Sequence, residues 1–205
     1  MFSGKFFDNL FSAILSFSSL RETINTFAPK RGSPVSLSDT TPVIIELDKS
    51  NPSVFIMNKI YLIRLAVSVA NAAMDLDNPT YYYDAKITKR GEGQAVKARD
   101  NLKNIEFDTY ICSPLTRTMQ TFSIIFPNKK PLIQPLIREQ LYHSCDVGKQ
   151  PSILKKEFPL FDFSKLNQYW WNNDEPINEK KIVKENFNDI KIRLEKFKSW
   201  LMLND

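Results

Sequence analysis

Two arginines each stand just past a short apolar run. Arg64 follows residues 59–63, and Arg117 lies in Ser113-Pro114-Leu115-Thr116-Arg117 after residues 108–112. Open α/β sheets bind ligands outside the C-terminal ends of their strands, and a helix starting there offers unpaired backbone N–H groups beside a guanidinium. That combination suits a phosphate or a carboxylate. Arg138-Glu139 follows a third extended piece, and Thr88, Arg90 and Gly91 make one more polar helix start. Spacing alone leaves a plainer alternative open, in which these arginines sit at the surface and pair with nearby carboxylates.

The chain of 205 residues has a single histidine, His143. This excludes any mechanism needing two imidazoles in one chain and any histidine-rich metal site, and neither a metal nor a cofactor is expected. Two cysteines, Cys112 and Cys145, cannot build a disulfide framework. Both are read as free thiols of a cytoplasmic protein, Cys112 as strand packing and Cys145 as a loop residue with no cation close in sequence to lower its pKa.

The elements that must position these residues follow from periodicity. Residues 59–63 and 108–112 read as buried strands, and 131–135 as a third extended piece. A helix opened by Ser68 is expected over 66–74, and another over 94–102 behind Thr88 as N-cap. Gly91 and Gly93 require that its first turn be held by something other than propensity. A helix over 115–126 starts behind Pro114, and a further one lies around 152–158. In the last helix Val183, Phe187, Ile190, Leu194, Phe197 and Leu201 step by alternating fours and threes, which makes a core-facing seam. Strands alternating with helices imply an α/β layered domain.

With 42% apolar and 25% charged residues the chain is ordinary globular material. The net charge of +5 comes without any run of five or six basic residues. The Lys-rich stretch 180–198 is interleaved with Glu179, Glu185, Asp189 and Glu195 and reads as a solvated helix face, so nucleic acid is not an expected partner. No apolar run approaches the roughly 18 residues that span a bilayer. Three parts are delimited. Residues 1–27 form an amphipathic N-terminal segment, with Phe6, Phe7, Leu10, Phe11, Ile14 and Leu15 at helical spacing. It is read as packing on its own domain or a partner, with membrane-surface contact the lesser alternative. Residues 28–54 are a Pro/Ser-rich linker holding a short strand at 43–47, and 55–205 form the compact domain. Oligomeric state is not legible.

Ile60-Tyr61-Leu62-Ile63-Arg64-Leu65-Ala66 with Ser68 and Asn71 resembles the opening motif of the histidine phosphatase superfamily, in its phosphoglycerate mutase-like branch. That motif runs strand, Arg-His-Gly/Ala, then Ser and Asn. Asp84-Ala85-Lys86-Ile87-Thr88-Lys89-Arg90-Gly91-Glu92-Gly93-Gln94-Ala95 is similar to the family's D-x-x-L-T-x-x-G-x-x-Q-A. Cys112-Ser113-Pro114-Leu115-Thr116-Arg117-Thr118-Met119-Gln120-Thr121 is similar to S-S-P-L-x-R-x-x-Q-T. Arg138-Glu139-Gln140-Leu141, Cys145-Asp146 and residues 158–163 extend the resemblance. It implies a three-layer αβα sandwich and a phosphoryl-transfer site in which a histidine attacks phosphorus, arginines and a second, late histidine hold the phosphate, and an acid protonates the leaving group. Carried over by position, Arg64, Arg117 and Asn71 are phosphate-binding residues, Glu139 is the proton donor, and Arg138 and His143 belong to a substrate-side loop.

The nucleophile position is Leu65. Leucine has no lone pair to offer phosphorus, and losing a hydrolase nucleophile costs about 10⁶ in rate. The late strand with its V-V-T-H-x-G-like histidine is also absent from the sequence, with the strand at 43–47 a candidate to fill its place. The expectation is therefore a catalytically inactive family member that binds phosphate, or a phosphorylated small molecule or peptide. Two alternatives stand beside it: an active phosphatase or mutase with another nucleophile, for which His143 is the candidate, and a non-enzymatic interaction protein or gene fragment.

Overall fold

The computed structural model describes residues 23–26, 42–47, 58–70, 82–172 and 184–203, and its chain divides into two units, Met1–Leu65 and Ala66–Asp205. The amphipathic pattern at residues 6–15 and the seam position Val183 lie outside the described residues, as does the predicted helix from residue 71 onward.

In the first unit β1 (Thr23–Thr26), β2 (Pro42–Leu47) and β3 (Asn58–Ile63) form an antiparallel sheet in the order β1-β2-β3. Val43 pairs with Leu62 and Ile45 with Ile60, so the strand expected inside the linker runs the full length of the one that ends at Ile63, just before Arg64. The β-branched run Val43-Ile44-Ile45 favours this extended pairing.

The second unit opens with a single antiparallel bridge, Ser68 to Ile87. Helix α1 (Lys89–Leu102) follows, then β4 (Ile111–Cys112), α2 (Thr116–Ile125) and β5 (Leu132–Ile133). Strands β4 and β5 pair in parallel, Ile111 with Leu132 and Cys112 with Ile133, joined through α2. Two 3-10 turns (Pro135–Ile137 and Ser144–Asp146), helix α3 (Pro151–Glu157) and helix α4 (Phe187–Leu203) complete it. The expected strands at 108–112 and 131–135 shrink to two residues each.

The core collects on α2, whose Met119 and Phe122 belong to one buried cluster with Cys112, Leu141, Leu154, Phe161, Phe163 and both Trp170 and Trp171. Much of it is aromatic. Phe122 and Phe161 lie edge-on at 5.8 Å, and Tyr110 and Phe126 at 4.9 Å, arrangements that add to the burial energy of the rings. Trp170 fixes the turn before α3: its Nε1 donates to Lys149 O at 2.9 Å, and a Cβ on Gly148 would fall 2.1 Å from Trp170 Cζ2.

Helix α4 departs from its expected seam. It starts at Phe187 because Asn186 and Asp189 form a reciprocal cap. Asn186 Oδ1 accepts from the N–H groups of Asn188 and Asp189, while Asp189 Oδ2 accepts from Asn186 N–H. Phe187 is 65% exposed, and the buried face is Ile190, Arg193, Leu194 and Phe197. Glu185, read from sequence as part of a solvated face, is also buried. Two arginines supply the compensation that this burial requires, and their sequence separation hides it.

Candidate functional site

Most of the motif residues hold backbone. The segment directly after Leu65 is fixed by side chains from α1 and α2: Ala66 N–H donates to Thr121 Oγ1 at 3.1 Å and Val67 N–H to Gln94 Oε1 at 3.0 Å. Val67 O accepts from both the N–H and the hydroxyl of Thr88, at 2.9 and 3.1 Å. Thr88 Oγ1 in turn accepts from Gly91 N–H at 3.0 Å and caps α1. Gly91 is required by proximity, since a Cβ there would lie 2.4 Å from Val67 O. This contact holds the glycine-bearing first turn of α1, which starts five residues earlier than the periodicity placed it. Gln120 Oε1 accepts from Ile87 N–H at 3.0 Å. Thr88, Gly91, Gln94, Gln120 and Thr121 are therefore a scaffold for residues 66–68 and their bridge partner.

The start of α2 is not the open anion site that the sequence suggested. Its N-cap, Leu115, has no capping side chain, and Asp84 supplies the cap from 32 residues upstream. Asp84 Oδ1 accepts from Thr116 N–H at 2.8 Å and Oδ2 from Thr116 Oγ1–H at 2.5 Å. The N–H groups of Thr118 and Met119 donate to Leu115 O. An internal carboxylate thus occupies the positive end of the helix. Burial raises the Asp84 pKa above its ordinary value, opposed by the two Thr116 hydrogen bonds and by Lys149 and Arg117. Asp84 sits at φ +41°, in the left-handed region that Asp tolerates better than most residues. Lys149 Nζ stands 3.9 Å from Asp84 and 2.8 Å from Glu157.

Arg117, the second residue of α2, is 4% exposed. Its Nη1 donates to Cys145 O at 2.6 Å and its Nη2 to Asp146 Oδ1 at 3.0 Å, which among the described residues leaves three of its five N–H donors for another acceptor. The other oxygen of Asp146 accepts from the N–H groups of His143 and Tyr142, at 2.9 and 3.3 Å. Beside this pair lies Glu139. Protein atoms crowd its carboxyl although the residue keeps part of its surface, and one oxygen accepts from Gln140 N–H at 3.1 Å. Burial, with Asp146 adding to it against Arg117 and Arg193, pushes the Glu139 pKa up to about 7. Burial likewise pushes Cys145 up to about 12, with Asp146 contributing, so this thiol is inert at neutral pH.

Arg138 is directed inward. It is 3% exposed, and its Nη2 meets Glu185 Oε1 at 2.6 Å while Nε donates to Trp171 O at 3.0 Å. Arg193 grips the same carboxylate from the other side, with Nε on Oε1 and Nη2 on Oε2, both at 3.0 Å. A surface role on a substrate-side loop does not fit this side chain, because its charge is balanced in the interior. His143 is exposed, its ring edge-on to Tyr142 at 4.8 Å. Arg64 and Leu65 are half-buried residues at the end of the first unit, and Asn71 lies outside the described residues.

The structure thus gathers Arg117 and Glu139 with Asp146, a residue that sequence reasoning quoted within a motif without a role. Glu185 and Arg193 were missed. Their positions on a charge-rich stretch gave no signal, because the partners lie 47 and 8 residues from Glu185. Among the described residues no group of three or more His, Cys, Asp and Glu could hold a metal ion, and no helix is long and apolar enough to cross a membrane.

The scaffold around residues 66–68 and the buried Arg117 at the start of α2 are built from the motif residues. The model of the histidine phosphatase superfamily (branch 1) matches residues 60–203, and the chain belongs to that superfamily, with its α/β fold. A solved structure from Escherichia coli assigned as an α-ribazole-5′-P phosphatase is similar at 23% identity and a TM-score of 0.42, covering 68% of this chain and 64% of that one. No curated protein matches the chain.

Proposed function

We propose that this chain is a catalytically inactive histidine phosphatase-fold protein that binds phosphate or a phosphorylated small molecule or peptide. The observation that carries the reading is Leu65, an isobutyl side chain where the superfamily places its attacking histidine. Arg64, Arg117 and Asn71 remain at the positions to which the family resemblance assigns phosphate binding. Arg117 supports retained binding because, among the described residues, three of its guanidinium N–H groups are uncommitted. The internal carboxylates Asp84 and Asp146 already answer α2's first N–H and one edge of Arg117, which favours modest affinity over tight capture.

Calorimetric titration with inorganic phosphate, in parallel with a turnover assay on a panel of phosphate esters, tests the reading. Saturable binding without turnover is expected, and absence of saturable binding sinks it. A Leu65→His variant that gains turnover on the same panel identifies position 65 as the lesion.

A second reading, an active phosphatase with another nucleophile, is favoured by one observation: Glu139, with its pKa pushed up to about 7, is suited to proton donation near neutrality. It requires turnover by the parent chain that is lost in His143→Ala. His143 works against it, since its ring is exposed against Tyr142 and its backbone is tied to Asp146.

A further inference from the structure

Glu139 sits on irregular backbone between a 3-10 turn and a loop, which by itself gives a side chain no fixed direction. The hydrogen bonds flanking it are unusually complete. On its N-terminal side Arg193 Nη1 donates to Arg138 O and to Leu136 O, both at 2.8 Å. On its C-terminal side Leu141 is paired twice with Glu185: Leu141 N–H donates to Glu185 Oε2 at 2.9 Å, and Glu185 N–H donates to Leu141 O at 2.9 Å. Gln140 Nε2 adds a bond to Glu185 O at 2.8 Å. The same Glu185 carboxylate neutralises Arg138 and Arg193, all three side chains being 1–4% exposed. The residue before Glu139 and the two after it are thereby tied to Arg193 on α4 and to Glu185 just ahead of that helix.

We propose that Glu185 and Arg193 are positioning residues for Glu139, fixing the backbone on both sides of it and so determining where its carboxyl stands. The proposal rests on the reading of Glu139 as the acid of the phosphate site. The bracket is made of hydrogen bonds to main-chain and side-chain groups of the protein itself. Its effect passes through the peptide frame, and loosening that frame lets the Glu139 carboxyl turn toward water.

The test is a pH titration of the Glu139 carboxyl by ¹³C NMR on the full chain, with the resonance assigned through Glu139→Gln. The charged groups facing this carboxyl are Arg117 from α2, Asp146 from the second 3-10 turn and Arg193 from α4. Arg193→Lys keeps the cation and removes the fork that spans two carbonyls, while Gln140→Ala removes one bond of the bracket and no charge. The Glu139 midpoint is expected to fall toward the ordinary carboxylate range in both, by about half a unit for Gln140→Ala and about one unit for Arg193→Lys. Folded variants with lowered melting temperatures and an unmoved midpoint would show a purely structural role and overturn the proposal. If Arg193→Lys does not fold, Gln140→Ala decides alone. Phosphate titration of the parent is read separately: no binding together with a shifted midpoint overturns the phosphate reading and leaves the positioning role standing.

Discussion

Arg117 donates to Asp146 at 3.0 Å, with both side chains under 10% exposed, so the arginine that the family resemblance assigns to phosphate already faces a carboxylate of its own chain. An incoming dianion meets this neighbour at close range. Asp146→Asn keeps the shape and the acceptor while removing the charge. It is expected to tighten inorganic phosphate about tenfold in calorimetry, because removing one like charge beside a site still open to solvent screening relieves roughly 1.4 kcal/mol of repulsion. It is also expected to destabilise the free protein, by about 3 kcal/mol in urea denaturation, because the buried guanidinium loses its counter-charge.

The raised pKa of Glu139 fixes the sign of a pH dependence. The folded protein holds this proton up to about pH 7, whereas the unfolded chain releases it near the ordinary glutamate value of 4.5. The resulting stability is fully present below about pH 4.5, declines as pH rises toward 7 and is flat above it. With partial exposure discounted, the decline amounts to about 2 kcal/mol. Urea denaturation of the parent and of Glu139→Gln between pH 4.5 and 8 checks this, and the stability of the parent relative to the variant should fall by that amount between pH 4.5 and 7 and then level off. A constant difference would show that Glu139 titrates as an ordinary carboxylate.

Gly91→Ala is expected to cost about 1–3 kcal/mol, since its Cβ would press to 2.4 Å on the backbone oxygen of Val67 and neither neighbour is a flexible side-chain end. Thermal denaturation measures the loss. Amide shifts in NMR should move at residues 66–68, the segment that this glycine and Gln94 hold. Gly93→Ala is the control, with nothing within reach of its added methyl, and it should be neutral or slightly stabilising.

Ser113 Oγ is buried with no hydrogen-bond partner among the described residues. Replacing an orphaned hydroxyl by hydrogen removes a desolvation penalty, so Ser113→Ala is expected to stabilise the protein by about 1 kcal/mol in chemical denaturation. A loss of stability of similar size would mean that the hydroxyl has a partner in solution.

The fold class and the motif framework were legible in the sequence because they depend on local pattern. The resemblance to the family's motifs singled out Thr88, Gly91, Gln94, Gln120 and Thr121, although what those residues do emerged only from their bonds to Ala66, Val67 and Ile87. The face of α4 was legible at Ile190, Leu194 and Phe197 and failed at Phe187, where the Asn186 cap starts the helix and leaves that ring in water. The charged interior was not legible at all. Arg138, Glu185 and Arg193 each look like surface residues alone, and only a three-way meeting across 55 residues of chain makes their burial tolerable. For the same reason the open helix start expected at Thr116 was already occupied by Asp84, whose approach no local spacing encodes.

The three-way meeting of Arg138, Glu185 and Arg193 constrains how this sequence can vary through descent. Losing Glu185 alone strands two buried cations, and losing either arginine leaves the carboxylate short of donors, so each single step carries a cost of about 3–5 kcal/mol against a marginal reserve. Replacing all three together with apolar residues of matching volume carries no such penalty in principle. Neutral drift is therefore blocked along every one-residue path, and the three positions are expected to be kept or lost as a set across the lineage.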